Sequence, residues 1–296
     1  MSEGLRERIA ARLAAPVRPE VAEFAGRLAQ DAGAEAALFY GSNLRTGELE
    51  GVLDFYLLLP GEQHEKIWPR VSYHEWRTGG EVLRAKVATM ALATFERACR
   101  GDSRDTTVWT RFVQPSALVW HTGYRIAARV AAALTQAVRT AARLAVALGP
   151  DRGTAQDYWR VLFRATYRAE FRIEQPGRED SILAANAAHF DGLLPLALES
   201  EGIAFARDGD AIEPHLSPVA RAAILRWWAP RRRLGKPLNL VRLAKASTTF
   251  EGAARYAAWK IERHTGVAIE VTPWRERHPL LAAPGVLAQL WRARRR

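Results

Sequence analysis

Hydrophobic and polar positions alternate along the chain with two different periods, and the change falls near residue 121. Residues 3–32 carry apolar positions at helical spacing, with a break near Pro16 and Pro19. The segments that follow predict four strands, at residues 36–40, 52–59, 82–90 and 116–120, and two short helices, at 64–68 and 91–99. This first part is therefore predicted to be α+β, with an open mixed sheet.

The second part of the chain has the helical period almost throughout. A long alanine-rich helix is predicted at residues 124–148, closed by Gly149 and Pro150. Further helices are predicted at 155–174, 181–199, 218–228, 243–265 and 285–296, with a basic loop at 230–237 and an irregular segment at 273–284. The pattern predicts an α+β domain over residues 1–121, a helical domain over 122–235, and C-terminal helices with a basic tail over 236–296.

Composition places the chain among soluble folded proteins. Its 296 residues are 48% hydrophobic and 25% charged, which is ordinary for a globular protein of one or two domains. No apolar stretch reaches the roughly 18 residues that a membrane-spanning helix needs, and the first residues do not have the pattern of a secretory signal. The single cysteine, Cys99, excludes an internal disulfide, so we expect a reducing, cytoplasmic setting.

The net charge of +11 has two explanations. A strongly basic protein favours a polyanionic partner such as a nucleotide, a nucleic acid or an anionic membrane. However, only five of the 43 basic residues are lysines, and an arginine- and alanine-rich composition also results from a GC-rich genome. Only local clusters of charge can therefore indicate function.

The most informative motif joins the first two predicted strands. Tyr40 leads into a Gly41-Ser42 turn, and eleven residues later Asp54 stands near the start of the second strand. Backbone N–H groups of such a turn can bind a triphosphate, and glycine lets the ligand approach the backbone closely. A carboxylate on the next strand can hold Mg²⁺ against the phosphates. This arrangement resembles the nucleotidyltransferases of the polymerase-β type.

The second acid that usually follows two residues after the first is missing, because position 56 is Tyr56. Residues 54 and 56 share one face of a strand, so Tyr56 stands where a carboxylate ligand would be expected. Either the protein is not catalytic, or a carboxylate from another segment completes the metal site.

Several segments resemble the mitochondrial-type phosphatidate cytidylyltransferases, which make CDP-diacylglycerol from CTP and phosphatidate. Residues Tyr167-Arg-Ala-Glu170-Phe-Arg172-Ile resemble that family's Tyr-x-Gly-Asp-Phe-Arg-Met signature, with Glu170 in place of the aspartate. Residues 181–190 resemble the stretch that follows it, which ends in His-Phe. The Tyr-Gly-Ser and Leu-Asp-Phe motifs around Gly41 and Asp54 match as well. Lys245 lies in a segment similar to the family's Thr-Lys-Gly, and residues 256–260 resemble its Tyr-x-x-x-Lys helix.

The resemblance implies a fold and a set of site residues. It implies a polymerase-β-type domain with a mixed sheet, followed by a mainly helical domain. Asp54 and Glu170 would hold Mg²⁺, although Glu170 could instead pair with a neighbouring arginine on a helix surface. The expected nucleotide- and phosphate-binding residues are Tyr40, Gly41, Ser42, Lys86, Lys245 and Arg172. For Lys245, the following Ser247-Thr248-Thr249 predicts a helix N-cap and hence an anion site at a helix start.

The end of the chain predicts contact with a membrane surface. On a helix over residues 285–296, Leu290 and Trp291 would lie on an apolar side, and Arg294 and Arg295 would belong to a basic end. The pair Trp227-Trp228, followed by Arg231-Arg232-Arg233, could also meet a membrane, or could be core next to a solvated loop.

These observations lead to one functional expectation and two alternatives. The expected reaction transfers CMP from CTP to phosphatidate or another anionic lipid, with Mg²⁺, at the inner face of a membrane to which a cytoplasmic enzyme is peripherally bound. The anionic membrane surface is then a partner, and no nucleic acid is expected. One alternative is a soluble nucleotidyltransferase acting on a sugar phosphate, a small alcohol or a protein. The other is a non-catalytic nucleic-acid-binding module.

Overall fold

The computed structural model describes residues 3–170 and 177–277, together with residues 282, 285, 286 and 289. The strands are β1 (Ala36–Tyr40), β2 (Leu53–Leu59), β3 (Arg70–Thr78), β4 (Glu81–Ala91), β5 (Ser116–His121), β6 (Gly153–Thr154), β7 (Phe205–Asp208) and β8 (Ala211–Pro214). The helices are α1 (Glu3–Leu13), α2 (Pro19–Asp31), α3 (Ser42–Thr46), α4 (Leu92–Cys99), α5 (Thr107–Phe112), α6 (Tyr124–Leu148), α7 (Ala155–Ala169), α8 (Arg178–Ala185), α9 (Ala187–Phe190), α10 (Leu193–Glu201), α11 (Pro218–Thr249), α12 (Ala253–Thr265) and α13 (Pro273–Arg277).

The larger sheet has five strands in the order β3-β4-β2-β1-β5. Strand β1 is antiparallel to β2 and to β5, β3 is antiparallel to β4, and β2 is parallel to β4. The sheet is thus mixed, and the α+β class predicted from the sequence is confirmed. Asp54 on β2 lies between Tyr40 on β1 and Lys86 on β4.

The predicted strands agree closely with β1, β2, β4 and β5, but β3 was not predicted. It forms a hairpin with β4 through Gly79 and Gly80, which both have positive φ. A Gly-Gly pair between two alternating runs is a known hairpin signal. The predicted helix at residues 64–68 is wrong, since this segment is an irregular connection into β3. Pro69 disfavours helical backbone at the residue before it.

The second part of the chain is less uniformly helical than predicted. Helix α6 has the predicted bounds, but α7 ends at Ala169, where the backbone of Glu170 becomes extended. The predicted helix over 181–199 is divided among α8, α9 and α10, with breaks at Asn186 and at Asp191-Gly192. A small sheet of β6, β8 and β7 was not predicted; β7 and β8 meet in an antiparallel hairpin around Gly209.

The basic segment at residues 230–237 is not a loop, because helix α11 runs through both of its prolines. Proline normally breaks a helix interior. Here the buried Arg231 ties the helix to a neighbouring loop, donating to the carbonyl oxygens of Gly101 and Ser103 at 2.6 and 3.1 Å. Arg231 also stacks on the Trp227 ring at 4.0 Å, and Trp228 is buried. These tertiary contacts therefore outweigh the helix-breaking tendency of the two prolines, and the segment packs against the loop at residues 101–103.

One hydrophobic core contains residues from both predicted domains. It extends from Leu5 on α1 through Tyr56 on β2 and Trp109 on α5 to Val138 on α6 and Trp228 on α11. A second core cluster lies on the other face of the sheet, between the sheet and α2. The division of the chain near residues 121 and 235 stays a prediction.

Within the described part of the chain, no single helix is long and apolar enough to cross a membrane. The segments Glu179–Ala185 and Ala187–Glu201 reach the required length and composition only as a pair, and the pair is bent by 83° at its break.

Candidate functional site

The Gly41-Ser42 turn brings the backbone against Asp54. Gly41 has a φ of +93°, and a Cβ atom there would lie 3.0 Å from the Asp54 Oδ2 atom. A side chain at this position would therefore be strained and would press on the carboxylate. The buried Asn43 fixes the following loop, because its side-chain amide donates to the carbonyl oxygens of Glu48 and Glu50 at 2.9 and 2.8 Å.

The Asp54 carboxylate is half-buried and accepts no hydrogen bond from the residues that the structure describes. Burial raises its pKa from the ordinary value, while the nearby Lys86 and Arg111 cations oppose that rise. A partly buried carboxylate without a partner is unfavourable for folding. Such a group is a candidate for binding a ligand or a metal ion.

Lys86 lies beside Asp54 on the neighbouring strand, as the register of the parallel pair requires. Desolvation lowers the pKa of its ammonium, the Asp54 carboxylate opposes that shift, and the positive charges of Arg111 and Lys260 add to it. Lys86 forms no hydrogen bond or ion pair with the described residues. Lys260 comes from α12, where its Nζ atom lies 5.9 Å from the centre of the Tyr256 ring.

Tyr56 does not take the place of the missing acid at the site. Its ring is fully buried in the core and packs against Phe95 and Phe112, with centroid distances of 6.0 and 5.3 Å. Its hydroxyl group is buried without a hydrogen-bond partner among the described residues. Residues 54 and 56 share a face of β2, but only Asp54 reaches the cavity described next.

A cavity of about 290 Å³ opens beside Asp54. The Gly-Ser turn, the end of α5 and helices α7 and α8 all contribute to its wall. The lining residues are Tyr40, Gly41, Ser42, Arg45, Asp54, Arg111, Gln114, Pro115, Tyr167, Ser181, Ile182, Ala185 and Asn186. The Tyr-Gly-Ser turn therefore meets Tyr167 and residues 181–186 in one cavity, and the sequence linked these parts only through a family resemblance.

Besides Arg45, Gln114 and Pro115, the sequence analysis missed the lining residue Arg111. It lies near the end of α5, over the face of Tyr40 at 5.2 Å from the ring centre. The apolar spacing of Val108, Trp109 and Phe112 was a signal for a short helix here. No sequence pattern, however, indicated which cavity that helix would border.

Glu170 lies apart from the cavity wall. It is buried, and its Oε1 atom accepts a hydrogen bond of 2.8 Å from the Thr106 hydroxyl. It is not among the described residues that line the cavity. Its carboxylate nevertheless interacts electrostatically with Arg111 and Arg242, and it contributes to raising the pKa of both guanidinium groups. Its expected role as a metal ligand stays a prediction, but it does not lie on an exposed helix surface.

The remaining predicted site residues are placed differently from expectation or lie outside the described part. The Lys245 ammonium donates to the Ile67 carbonyl oxygen. The predicted anion site at a helix start is wrong, because Lys245 lies near the end of α11 and α12 begins only at Ala253. Arg172, Leu290, Trp291, Arg294 and Arg295 lie outside the described residues.

The described residues fit Mg²⁺ only as an ion that is shared between one carboxylate and a bound substrate. Among the described residues, no group of three or more histidine, cysteine, aspartate or glutamate side chains could hold a metal ion. Asp54 offers one carboxylate with unused oxygen atoms. Mg²⁺ is often bound by one or two carboxylates together with substrate phosphates and water, and Asp54 suits such a substrate-bridged site.

No protein-family model matches the chain, and no curated protein matches it.

Proposed function

We propose that this protein is a nucleotidyltransferase that transfers CMP from CTP to phosphatidate or a similar lipid phosphate. The observation that carries the proposal is the unpartnered Asp54 carboxylate, held against the Gly41-Ser42 turn in a cavity that also contains Arg111 and Tyr167. The choice of CTP and phosphatidate rests on the family resemblance of the segments that meet there.

The reaction joins two phosphate groups, so the site must bring negative charges together. An oxygen of the lipid phosphate attacks the α-phosphorus of CTP. The bond from that phosphorus to the bridging oxygen breaks, and pyrophosphate leaves. A phosphate monoester is already ionised near neutral pH, so the acceptor needs no strong general base. The main tasks of the protein are then to position the two groups and to stabilise their charge.

Different residues of the chain would position the two groups and stabilise their charge. Gly41 lets the triphosphate approach the backbone, and the Ser42 hydroxyl donates to it. Lys86 and Arg111 place positive charge around Asp54, where they stabilise the charge of the transferring group and of the leaving pyrophosphate. Asp54, with Glu170 as the predicted second ligand, would hold Mg²⁺, which when bound neutralises phosphate charge.

The cavity is large enough only for the polar part of a lipid substrate, so the acyl chains of phosphatidate would remain outside. Its volume of about 290 Å³ is just below the range of roughly 300–1,000 Å³ that is typical of small-molecule sites. It suits phosphates and part of a nucleoside, while acyl chains stay in the membrane. We therefore propose peripheral association with the inner face of the membrane.

Pyrophosphate release from each of the four ribonucleoside triphosphates, with Mg²⁺, tests this function. The proposal expects release from CTP that depends on vesicles containing phosphatidate. Release that ignores lipid and needs a sugar phosphate, a small alcohol or a protein would favour a soluble nucleotidyltransferase. No release from any nucleotide, together with nucleic-acid binding that persists in Asp54→Ala, would favour the non-catalytic module.

A further inference from the structure

Among the described residues, the Arg111 guanidinium has neither a hydrogen-bond acceptor nor an ion-pair partner at the cavity wall. Within the described ranges, it donates no hydrogen bond, and no carboxylate oxygen lies within 4.0 Å of its nitrogen atoms. Other arginines of the chain that are partly buried do have partners, as Arg242 has in Asp105 at 2.6 Å and Arg139 in Glu201 at 2.6 Å. The five N–H donors of this half-buried side chain are therefore left to solvent or to a ligand. A bound anion would satisfy them.

The position of Arg111 is fixed before any ligand binds. Its guanidinium lies over the Tyr40 ring, and Tyr40 packs edge-on against Phe112 with the ring centres 5.8 Å apart. Phe112 in turn contacts Tyr56 and Phe95 in the core, with centroid distances of 5.3 and 4.9 Å. A cation stacked on a rigid aromatic group loses little conformational freedom when it binds.

The Arg111 guanidinium keeps its proton, and therefore its positive charge, at neutral pH. Burial by itself lowers the pKa of the guanidinium, but the phenols of Tyr40 and Tyr56 and the carboxylates of Asp54 and Glu170 more than offset that effect, so the pKa is raised overall. Asp54 interacts with Arg111 electrostatically and yet does not pair with it. Both side chains line the same cavity, which leaves space for a ligand beside them.

We infer that Arg111 binds the polyphosphate of the nucleotide, an inference that rests on the proposed function. A planar guanidinium matches the oxygens of a phosphate group in a bidentate manner. Arg45 and the Ser42 hydroxyl border the same cavity, so it offers donors to more than one phosphate. Because Asp54 shares this wall and repels an anion, Mg²⁺ is expected to strengthen the binding.

Calorimetric titration with inorganic tripolyphosphate in the presence of Mg²⁺ tests the inference without requiring turnover. Arg111→Gln should weaken binding by at least about tenfold, the loss of one charge-assisted contact. Arg111→Lys, which keeps the charge but not the planar fork, should be intermediate. Arg125→Gln removes the same charge from an exposed position at the start of α6, and it should bind like the wild type.

The inference is overturned if the wild type does not bind tripolyphosphate, or if Arg111→Gln binds it as tightly as the wild type. An equal loss in Arg125→Gln also overturns it, because the effect would then come from net charge alone. If thermal unfolding shows that Arg111→Gln is not folded, Arg111→Lys decides, and wild-type affinity in that variant counts against the inference.

The outcome can be separated from that of the proposed function. If the wild type binds tripolyphosphate through Arg111 but releases no pyrophosphate from any nucleotide, nucleotidyl transfer is wrong and polyphosphate binding stands. If CTP is turned over while Arg111→Gln binds tripolyphosphate normally, only the role of Arg111 is wrong.

Discussion

At the scale of single residues, the contact between Gly41 and Asp54 is the tightest constraint on the site. Gly41 and Gly47 both have positive φ, at +93° and +72°, but a Cβ at Gly47 would meet no atom within 4 Å. Gly47→Ala, in the left-handed helical region, should cost about 1 kcal/mol of folding stability. Gly41→Ala should cost about 1–3 kcal/mol, because its ψ of −164° places it in a region that essentially only glycine adopts. Only Gly41→Ala should also displace the Asp54 carboxylate, and it should reduce pyrophosphate release by at least about tenfold, because small misplacements of catalytic groups are costly.

This pair of variants is measured by thermal unfolding and by the pyrophosphate assay. Equal activity in Gly41→Ala and Gly47→Ala would mean that the close approach to Asp54 has no part in the reaction.

The buried His189 makes the stability of the fold depend on pH. Burial lowers its pKa to about 4, its Nε2 atom lies 2.8 Å from the Val113 carbonyl oxygen, and the nearby charges are those of Arg8 and Arg12. The unfolded chain, with an ordinary histidine pKa near 6.5, binds the proton more readily, so stability is lost as pH falls from about 6.5 towards 4.

We expect the free energy of unfolding in urea to fall by about 2 kcal/mol through this residue between pH 7 and pH 5. His189→Gln should lack this component, whereas a matched change at the exposed His215 should retain it. An unaltered pH dependence in His189→Gln would show that its protonation does not limit stability.

At the scale of elements, helix α11 depends on tertiary contacts rather than on its own sequence. It contains Pro230 and Pro237, and Arg231 anchors it to the carbonyl groups at residues 101 and 103. Arg231→Ala should leave the Ser103 carbonyl without its donor and the Gly101 carbonyl with only the Trp227 indole, at a cost of about 1–3 kcal/mol in urea unfolding. Arg232→Ala, at the exposed neighbouring position, should change stability by less than about 0.5 kcal/mol. Similar losses in both variants would contradict the anchoring role of Arg231.

The elements also show where sequence reasoning succeeds. Helix α6 follows from its apolar period, because it buries one regular face. Strands β1 and β2 follow from continuous apolar runs, because both of their faces are buried. Helix α11 and the end of α7 do not follow from either pattern. Gly235 lies so close to the Ala169 carbonyl that a Cβ would sit 2.4 Å from the oxygen, and such packing between distant segments leaves no local pattern.

The residues of the candidate site likewise include some that the sequence predicts and some that it does not. Gly41, Ser42, Asp54 and Lys86 could be found because they belong to adjacent strands of one predicted sheet. Arg111 could not, since its place at the cavity depends on how α5 packs beneath Tyr40. Lys245 was misplaced because local helix signals suggested a cap within what is one continuous helix.

At the scale of the whole molecule, the cavity is assembled from parts far apart in the sequence. Its lining residues come from positions 40–54, 111–115, 167 and 181–186, and one core connects the elements that carry them. The site is thus a property of the complete fold, which agrees with a reaction in which nucleotide and acceptor are bound by different segments.

Membrane association is predicted to involve the end of the chain, whose last residues lie outside the described part. Deleting residues 285–296 removes four arginines, each worth roughly 1 kcal/mol near an anionic surface. Sedimentation with anionic vesicles should therefore decrease, and added salt should weaken the binding that remains. If the deletion leaves vesicle binding unchanged, the membrane contact lies elsewhere.

The most direct test of nucleotidyl transfer is pyrophosphate release from CTP, with Mg²⁺ and phosphatidate vesicles, by wild-type protein and Asp54→Ala. The control is Asp31→Ala, an exposed position at the end of α2. Loss of the one free carboxylate of the described cavity should remove several kcal/mol of transition-state stabilisation. We predict that Asp54→Ala stays folded and loses turnover, while Asp31→Ala keeps wild-type activity. Retention of more than about a tenth of the activity in Asp54→Ala, a loss of less than about 1.4 kcal/mol, would contradict the assignment.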